Sequence, residues 1–418
     1  MSPPPSAPRP AGGGLLSRRA FLYFWAGRFL AILASQAQGA TIAWQVYGIA
    51  RARGGDVKQA SFAVGIIGLA QFLPLCALAL SAGDAADRHD RRAISMICLG
   101  MEVATAAALA AMALSGLRVL WPVVAVAVVF GASRAFLNPA NTALGPMLVP
   151  QPLLARAIAF NSLAWQAGSI IGPAVGGLLC AASPAVSYAV SAALYLAAAL
   201  ALTRVRGATR PAPQAGSRWA LAREGLAYVW SNKVVFGAIS LDLFAVLLGG
   251  ATALLPVYAH DVLKVGAAGY GLLRAGAAIG ASAVAVLIAV RPIRRRAGRV
   301  MFGGVGVFGA ATLVFALSSS FALSAAALII LGGADMLSVY IRQTLIQATT
   351  PDAMRGRVAA VSGLFVGASN ELGEFESGFA ARILGPIGAA VFGGVGALAV
   401  TGVWAGLFPQ LRKADRLG

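Results

Sequence analysis

Apolar residues in this chain are grouped into long stretches. Each stretch is near the roughly 20 residues that an α-helix needs to cross the hydrocarbon core of a bilayer, whereas a barrel strand needs only about ten. We therefore predict an all-α integral membrane protein with twelve transmembrane helices. The predicted spans are 21–48, 61–82, 93–115, 120–142, 158–181, 185–203, 234–258, 270–290, 300–319, 321–345, 359–381 and 387–408.

The only long charged interruption, residues 204–233, separates the first six predicted spans from the last six. It therefore acts as a linker between an N-terminal six-helix bundle, 20–203, and a C-terminal six-helix bundle, 234–408. Residues 1–19 are rich in Pro and Gly at their start and are predicted to be disordered. Residues 409–418 form a short tail.

The two predicted bundles repeat each other, which predicts a pseudo-symmetric pair. Without any gap, a shift of 201 residues aligns matching loop and span positions across the fourth and fifth spans of each half. An internal repeat of six-helix units is typical of a secondary transporter whose site lies between the halves. The aligned pairs include Gly131 with Gly332, Arg134 with Asp335, Pro150 with Pro351, Arg156 with Arg357, Gly172 with Gly373 and Gly177 with Gly378.

Basic residues account for the net charge of +19 and are distributed unevenly between the two sides of the predicted membrane. The side that carries the termini and the linker holds 23 Lys and Arg residues, and the other side holds six. The positive-inside rule then predicts a multi-pass protein of the cytoplasmic (inner) membrane with both termini in the cytoplasm. The basic face meets anionic lipid headgroups, so we expect lipid rather than nucleic acid as its partner.

Cysteine and histidine residues give no sign of a metal or redox site. Cys76, Cys98 and Cys180 all fall in apolar spans, where small buried thiols are the simplest interpretation. His89 and His260 have no ligand spacing around them. We therefore expect no cofactor and no metal.

Six of the 14 acidic residues fall in predicted spans, where an ionised carboxylate is costly and usually faces a cavity, a partner charge or a proton path. Glu371 and Glu374 are three residues apart and share one face of the eleventh span, while Glu376 points about 140° away from Glu371. We predict that Glu371 and Glu374 bind the coupled proton as a pair. Glu376 is interpreted as a packing residue, and Glu102 in the third span as structural.

Two buried aspartates and one arginine are further candidates for binding a proton or the substrate. Asp242 lies in the seventh span, Asp335 in the tenth, and Arg134 in the fourth. An arginine stays charged when it is buried, so it can favour the ionised form of a nearby carboxylate. A purely structural interpretation also stays open: Arg134 could pair with Asp335, and Arg274 or Arg342 could neutralise the aspartates.

A charged motif after the second span reads Gly83-Asp84-Ala85-Ala86-Asp87-Arg88-His89-Asp90-Arg91-Arg92. It resembles the loop signature of the major facilitator superfamily at Gly83, Asp87, Arg88, Arg91 and Arg92. Independently of this resemblance, the glycine at position 83 would permit a tight turn. The resemblance implies that Asp87, Arg88 and Arg92 form a conformational latch that holds the halves together when the outer side is open. The matching segment of the second half, 291–299, is basic but lacks the acid.

A glycine-rich motif in the fifth span indicates a subgroup of the major facilitator superfamily. Its residues Gly168, Gly172, Pro173, Gly176 and Gly177 have the spacing found in drug–proton antiporters of the superfamily, and the spacing of the glycines suits close helix contact. The chain is similar to the antiporter group that includes the enterobactin exporter and macrolide efflux proteins, over about residues 20–410.

The resemblance implies proton-coupled export of an amphipathic small molecule, a siderophore or a drug, by alternating access. The expected partners are that substrate, protons and membrane lipid, and we expect a monomer. Uptake or proton-independent facilitation remains an alternative. An intramembrane aspartyl protease is a remote one, because Leu241 precedes Asp242 and Gly333-Ala334 precede Asp335 where such enzymes need Tyr-Asp and Gly-x-Gly-Asp. We therefore expect a transporter and not an enzyme.

Overall fold

The computed structural model describes residues 15–116, 119–206, 209–210, 218–291, 293, 295–351 and 354–414. In this part of the chain, eleven helices are long and apolar enough to cross a membrane, and the last of them contains two spans. The helices are α1 (Arg19–Ala52), α2 (Val57–Arg88), α3 (Arg91–Leu114), α4 (Leu120–Met147), α5 (Leu154–Ala182), α6 (Pro184–Thr203), α7 (Lys233–Val262), α8 (Gly266–Val290), α9 (Ala297–Leu317), α10 (Phe321–Thr349) and the stretch Arg355–Leu407.

The stretch Arg355–Leu407 is broken at Gly385, whose φ of 78° and ψ of 165° are not helical. A positive φ is accessible to glycine at little cost, and the following Pro386 disfavours a helical conformation at the residue before it. The break gives α11 (355–384) and α12 (386–407). The prediction of an all-α membrane protein with twelve spans is therefore confirmed for the described residues.

Shorter helical pieces surround these spans. The linker contains a helix, Arg218–Ser231, which we call the linker helix. The end of α7 is irregular, with a 3₁₀ turn at Ala251–Leu254 and a π-helical turn at Tyr258–Val262. Short helices at Leu15–Ser17, Gln151–Leu153 and Pro409–Arg412 lie outside the spans. The prediction of disorder over residues 1–19 is wrong for its last part, because Leu15–Ser17 and the start of α1 at Arg19 are helical. Residues 1–14 and the tail residues 415–418 lie outside the described residues.

Helix packing is the same in the two halves. In the first half α1 packs on α5, α2 on α4, and α3 on α4; in the second half α7 packs on α11, α8 on α10, and α9 on α10. Glycines 201 residues apart make equivalent contacts: Gly131 of α4 abuts Gln71 of α2, and Gly332 of α10 abuts Ala277 of α8. The contacts of these glycines support the repeat that the sequence predicts.

The halves meet along two seams that consist of small residues. In the α5–α8 seam, a methyl group on Gly177 would lie 2.6 Å from the Cα of Gly271. In the α2–α11 seam, a methyl group on Gly378 would lie 2.7 Å from the Cα of Gly65. Close approach of this kind requires glycine. Both seams are near the ends of α1 and α7 and far from the chain termini, on what we call the opposite face; the face with the termini is the termini face.

The charged motif near residue 90 is more helical than expected. We expected Gly83 to form a turn, but α2 continues through Arg88, and Gly83 is a buried helical residue without a positive φ. The turn lies instead at His89 and Asp90, where Asp90 accepts hydrogen bonds from the backbone of Arg92 at 2.8 Å and caps α3. Burial raises the pKa of Asp90, but hydrogen bonds from the Thr209 hydroxyl and the α3 amides outweigh it and hold that pKa below its usual range.

The linker helix is anchored to the second half at the termini face. Tyr228 donates a hydrogen bond to the carbonyl of Thr349 at 2.8 Å, and Glu224 forms an ion pair with Arg357. Gly225 packs against the backbone of Arg357, where a methyl group would lie 2.9 Å from its carbonyl oxygen. Part of the predicted linker is therefore a helix that packs against the α10–α11 corner.

Candidate functional site

A cavity of about 270 Å³ lies between the halves, near the lower end of the size range for small-molecule pockets. It is bounded by α1, α2, α3, α4 and α5 of the first half and by α8 and α11 of the second. The two glycine seams lie beyond it on the opposite face, and its lining extends along α1 and α4 toward the termini face. Its charged lining residues are Arg28, Glu102, Arg134, Arg274, Glu371 and Glu374.

Arg134 and Glu371 join the halves inside this cavity. Nη1 of Arg134 is 3.4 Å from Oε1 of Glu371 and donates a hydrogen bond to Oε1 of Gln71 at 3.2 Å. The sequence left open a pair between Arg134 and Asp335, and that interpretation is wrong. Asp335 lines a different pocket inside the second half, and Arg134 pairs with Glu371 instead.

Glu374 forms a second, looser pair with Arg274. Nη2 of Arg274 is 3.9 Å from Oε1 of Glu374, and Nη1 donates a hydrogen bond to the Tyr270 hydroxyl at 3.2 Å. Gly68 of α2 makes room for this acid, because a methyl group there would lie 3.0 Å from the Cβ of Glu374. Arg274 therefore pairs with Glu374, and the interpretation that it neutralises Asp242 is wrong.

Glu376 lies apart from these two glutamates. It is not among the residues that line the central cavity, and its carboxylate accepts a 3.4 Å hydrogen bond from Ser377. Glu371 and Glu374 share the cavity face of α11, as their spacing predicts.

Asp242 and Asp335 form a separate polar cluster inside the second half. Asp242 pairs with the fully buried Arg342 at 2.9 Å, which was one of the open structural interpretations. Asp335 lines a neighbouring pocket of about 250 Å³ between α7, α8 and α10. Asn370 lines both this pocket and the central cavity. The structure therefore does not bring the two aspartates to the central cavity itself.

Two cavity residues are not among the sites that the sequence predicts. Glu102, which we interpreted as a peripheral structural residue, is fully buried and lines the cavity, with the Ser133 hydroxyl 3.4 Å from its carboxylate. Arg28 of α1 also lines it. The available signal was the presence of a charge within an apolar span, which normally marks a function.

The latch arginines make their described contacts within the first half. Arg88 pairs with Asp84 at 2.8 Å, and Arg91 pairs with Asp87 at 3.5 Å. Arg92 donates hydrogen bonds to the carbonyls at the end of α6, 3.0 Å to Leu202 and 2.7 Å to Thr203. A latch between the halves stays a prediction, and it would form in another conformation.

On the opposite face, polar side chains connect the halves directly. Asp261 at the end of α7 accepts hydrogen bonds from the Tyr47 hydroxyl and, at 3.2 Å, from Arg51 of α1. Lys58 of α2 donates to the carbonyl of Ile383 of α11 at 3.0 Å. These contacts close the side of the molecule on which the glycine seams also lie.

The antiporter motif of α5 has two different contact faces. Gly168, Gly172 and Gly176 pack on α1, where a methyl group on Gly172 would lie 2.6 Å from the Cβ of Gln36. Pro173 and Gly177 face α8 across the α5–α8 seam. The motif therefore joins the internal packing of the first half to the contact between the halves.

The described residues contain no group of three or more His, Cys, Asp or Glu side chains that could hold a metal ion. The cavity chemistry is that of paired charges within a polar lining. Each ion pair can be broken by protonation of its glutamate, and such a change alters the attraction between the two halves.

Two pseudo-symmetric six-helix bundles with a polar cavity between them define a secondary transporter of the major facilitator type. A family described as transmembrane secretion effector matches residues 14–417, and the chain belongs to this family of the superfamily. It is a membrane transporter and not an enzyme.

Two of the similar curated proteins are exporters by name. The chain is 29% identical over 366 residues to the multidrug efflux pump Tap of Mycolicibacterium fortuitum, covering 84% of this chain and 88% of the pump. It is 29% identical over 255 residues to the enterobactin exporter EntS of Escherichia coli O1:K1 / APEC, covering 60% and 57%.

Solved structures of transporters share the fold. A POT family transporter in complex with 5-aminolevulinic acid has a TM-score of 0.71 at 12% identity and covers 96% of this chain and 98% of that chain. An inward-facing bacterial homologue of the iron transporter ferroportin has a TM-score of 0.69 at 17% identity, covering 96% and 100%. At these identities the likeness shows the fold alone.

Proposed function

We propose that this protein exports an amphipathic small molecule in exchange for protons, by alternating access at the central cavity. The ion pair between Arg134 of one half and Glu371 of the other carries the proposal. A proton that binds Glu371 removes this cross-half attraction, so protonation is coupled to the relative position of the halves. The exporters among the relatives support the direction of transport.

The basic termini face is the cytoplasmic face by the positive-inside rule, and both termini and the linker lie there. In this conformation the cavity then faces the cytoplasm, and the contacts of the opposite face close it from outside. Substrate enters from the cytoplasm while Glu371 and Glu374 are ionised and paired with arginines. After the protein has opened outward and released the substrate, protons on these glutamates weaken the pairs and the protein returns. The basic face contacts anionic lipid headgroups. The protein works as a monomer, because the cavity lies between the two halves of a single chain.

Transport in proteoliposomes tests the coupling. The probes are dansyl-6-aminohexanoate and dansylcadaverine, two amphipathic dyes with the same ring system and opposite terminal charges. We expect an imposed proton gradient to drive accumulation of at least one dye, accompanied by proton movement in the opposite direction. Glu371→Gln combined with Glu374→Gln should remove the part of the flux that depends on the gradient.

Glu376→Gln is the matched control, since it removes a carboxylate of the same helix that does not line the cavity. Coupled transport at the wild-type level by the double variant would contradict the proposed proton role. Flux that follows only the dye gradient in the wild-type protein would favour the alternative of proton-independent facilitation. Proton movement in the same direction as the dye would favour uptake.

A further inference from the structure

Arg28 of α1 differs from the other two arginines that line the central cavity. It lies nine residues after the start of α1, about 14 Å along the helix axis from the termini face. Its Nε and Nη1 atoms are buried, and they have no hydrogen-bond partner in the described part of the chain. The ion pairs of the described residues use Arg134 and Arg274 in this cavity but not Arg28.

Buried guanidinium N–H groups without partners, such as those at Nε and Nη1 of Arg28, are unfavourable, because they lose their hydration without gaining hydrogen bonds. Arginine is also the residue whose planar fork best matches a carboxylate or a similar oxyanion. Arg28 therefore provides a positive charge inside the cavity that the described side chains leave unsatisfied. An anionic group from outside the chain would satisfy it.

We propose that Arg28 binds an acidic group of the transported molecule, a carboxylate or a similar oxyanion, at the end of the cavity nearer the termini face. The inference rests on the proposed export function and adds a substrate class to it. Ile32 and Gln36 follow Arg28 on the same side of α1 and also line the cavity, so the path from Arg28 to Gln36 is about 12 Å long. Phe130 and Trp165 supply aromatic surface along it.

The deeper part of this path reaches the glutamate pair on α11. A bound molecule would therefore place its acid at Arg28 and its remaining polar groups near Glu371 and Glu374. This arrangement separates the two tasks of the cavity. Arg28 selects the charge of the substrate, and the glutamates exchange protons more than one helical turn further in.

Equilibrium binding to the purified full-length protein tests the inference. The protein is placed in nanodiscs of phosphatidylcholine, and the two dansyl dyes are titrated by their fluorescence. We expect tighter binding of dansyl-6-aminohexanoate than of dansylcadaverine. Arg28→Gln should weaken binding of the anionic dye by about tenfold or more, the loss typical of one charge-assisted hydrogen bond, and leave the cationic dye unchanged or bound more tightly.

Two further variants separate charge from geometry. Arg28→Lys keeps the charge without the fork and should give an intermediate affinity for the anionic dye. Arg156→Gln removes an exposed arginine at the termini face and should change neither affinity. Retained binding of dansylcadaverine shows that a variant is folded. An unchanged preference between the dyes in Arg28→Gln, a wild-type preference for the cation, or no binding of the anion would overturn the inference.

Lipid phosphate is the other possible source of an anion. The titration is therefore repeated in nanodiscs that contain phosphatidylglycerol. An unchanged affinity for the anionic dye supports a substrate position. Loss of dye binding in the wild-type protein, but not in Arg28→Gln, would assign Arg28 to a headgroup and overturn the inference. None of these measurements requires proton coupling, so they can fail while the exchange of protons through Glu371 and Glu374 stands.

Discussion

The two membrane faces of this protein differ in how the halves meet. On the opposite face the halves are joined by glycine seams and by polar contacts from Asp261 and Lys58. On the termini face the described contacts of Arg88, Arg91 and Arg92 stay within the first half, and the cavity extends between the halves. Firm closure of one face, with few polar contacts between the described residues of the halves at the other, is the arrangement that alternating access requires.

The contacts of the closed face are of two kinds. The seams bury backbone against backbone and allow no extra atom. The ion pair of Arg51 with Asp261 has side chains that are 33% and 22% exposed, so solvent screens it and it contributes only about 0–1 kcal/mol. Shape thus determines whether the face can close, while weak polar contacts adjust how often it is closed. A transporter needs the second kind to be weak, because a strong contact would populate one state only.

The largest effect is expected from blocking the α5–α8 seam. Gly177→Leu should abolish transport, since even a methyl group would lie 2.6 Å from Gly271 and the side chain would hold the opposite face open. The control is Gly48→Leu in α1, where an added Cβ meets nothing within 4 Å. Dye flux in proteoliposomes measures the effect. Wild-type flux in the seam variant would mean that the seam is not needed for closure.

Loss of the latch should have the next largest effect, on the other face. Asp87→Asn should leave the termini face open for a larger share of the time, because the latch is expected to form only when that face closes. We expect a population shift of about tenfold, equivalent to about 1.4 kcal/mol. Distances between spin labels at the exposed Arg156 and Arg299, on a background without native cysteines, measure it. An unchanged distance distribution would show that Asp87 has no latch role.

Much of the fold could be predicted, because the length of an apolar stretch directly reports the thickness of the membrane. The predicted span 120–142 and helix α4 begin at the same residue, and 185–203 agrees with α6 to one residue. The prediction failed at the end of α2, placed at 82 instead of Arg88. Residues 84–88, three of which are charged, extend the helix beyond the hydrocarbon core, where hydropathy no longer detects it.

The site could be predicted only where helix geometry is sufficient. The shared face of Glu371 and Glu374 follows from their spacing. The partner of Arg134 does not, because it depends on how α4 and α11 meet across the halves. The repeat suggested Asp335, but residues related by a pseudo-twofold axis touch only when they lie near that axis. Arg28 shows the same limit, since its missing partner is a property of the assembled cavity.

A smaller effect is expected from the ion pair of the closed face. Asp261→Asn removes the charge that Arg51 and Tyr47 contact, so the opposite face should open more often. Because the pair is partly exposed, the shift should be about fivefold or less, and higher salt should reduce the difference from wild type. Spin labels at the exposed Arg53 and at Lys264 report it, with Asp56→Asn as the control on the same face. A salt-independent change would indicate lost packing.

The smallest effect is expected from the hydrogen bond of Lys58. Lys58→Met removes the exposed hydrogen bond to the carbonyl of Ile383 and keeps most of the aliphatic stem, so the same spin labels should show a shift of about twofold or less. Lys58→Arg keeps a donor and should match the wild-type protein. Combined with Asp261→Asn, the two effects should add, because the contacts share no residue. A combined effect larger than the sum would show that α1–α7 and α2–α11 open as one unit.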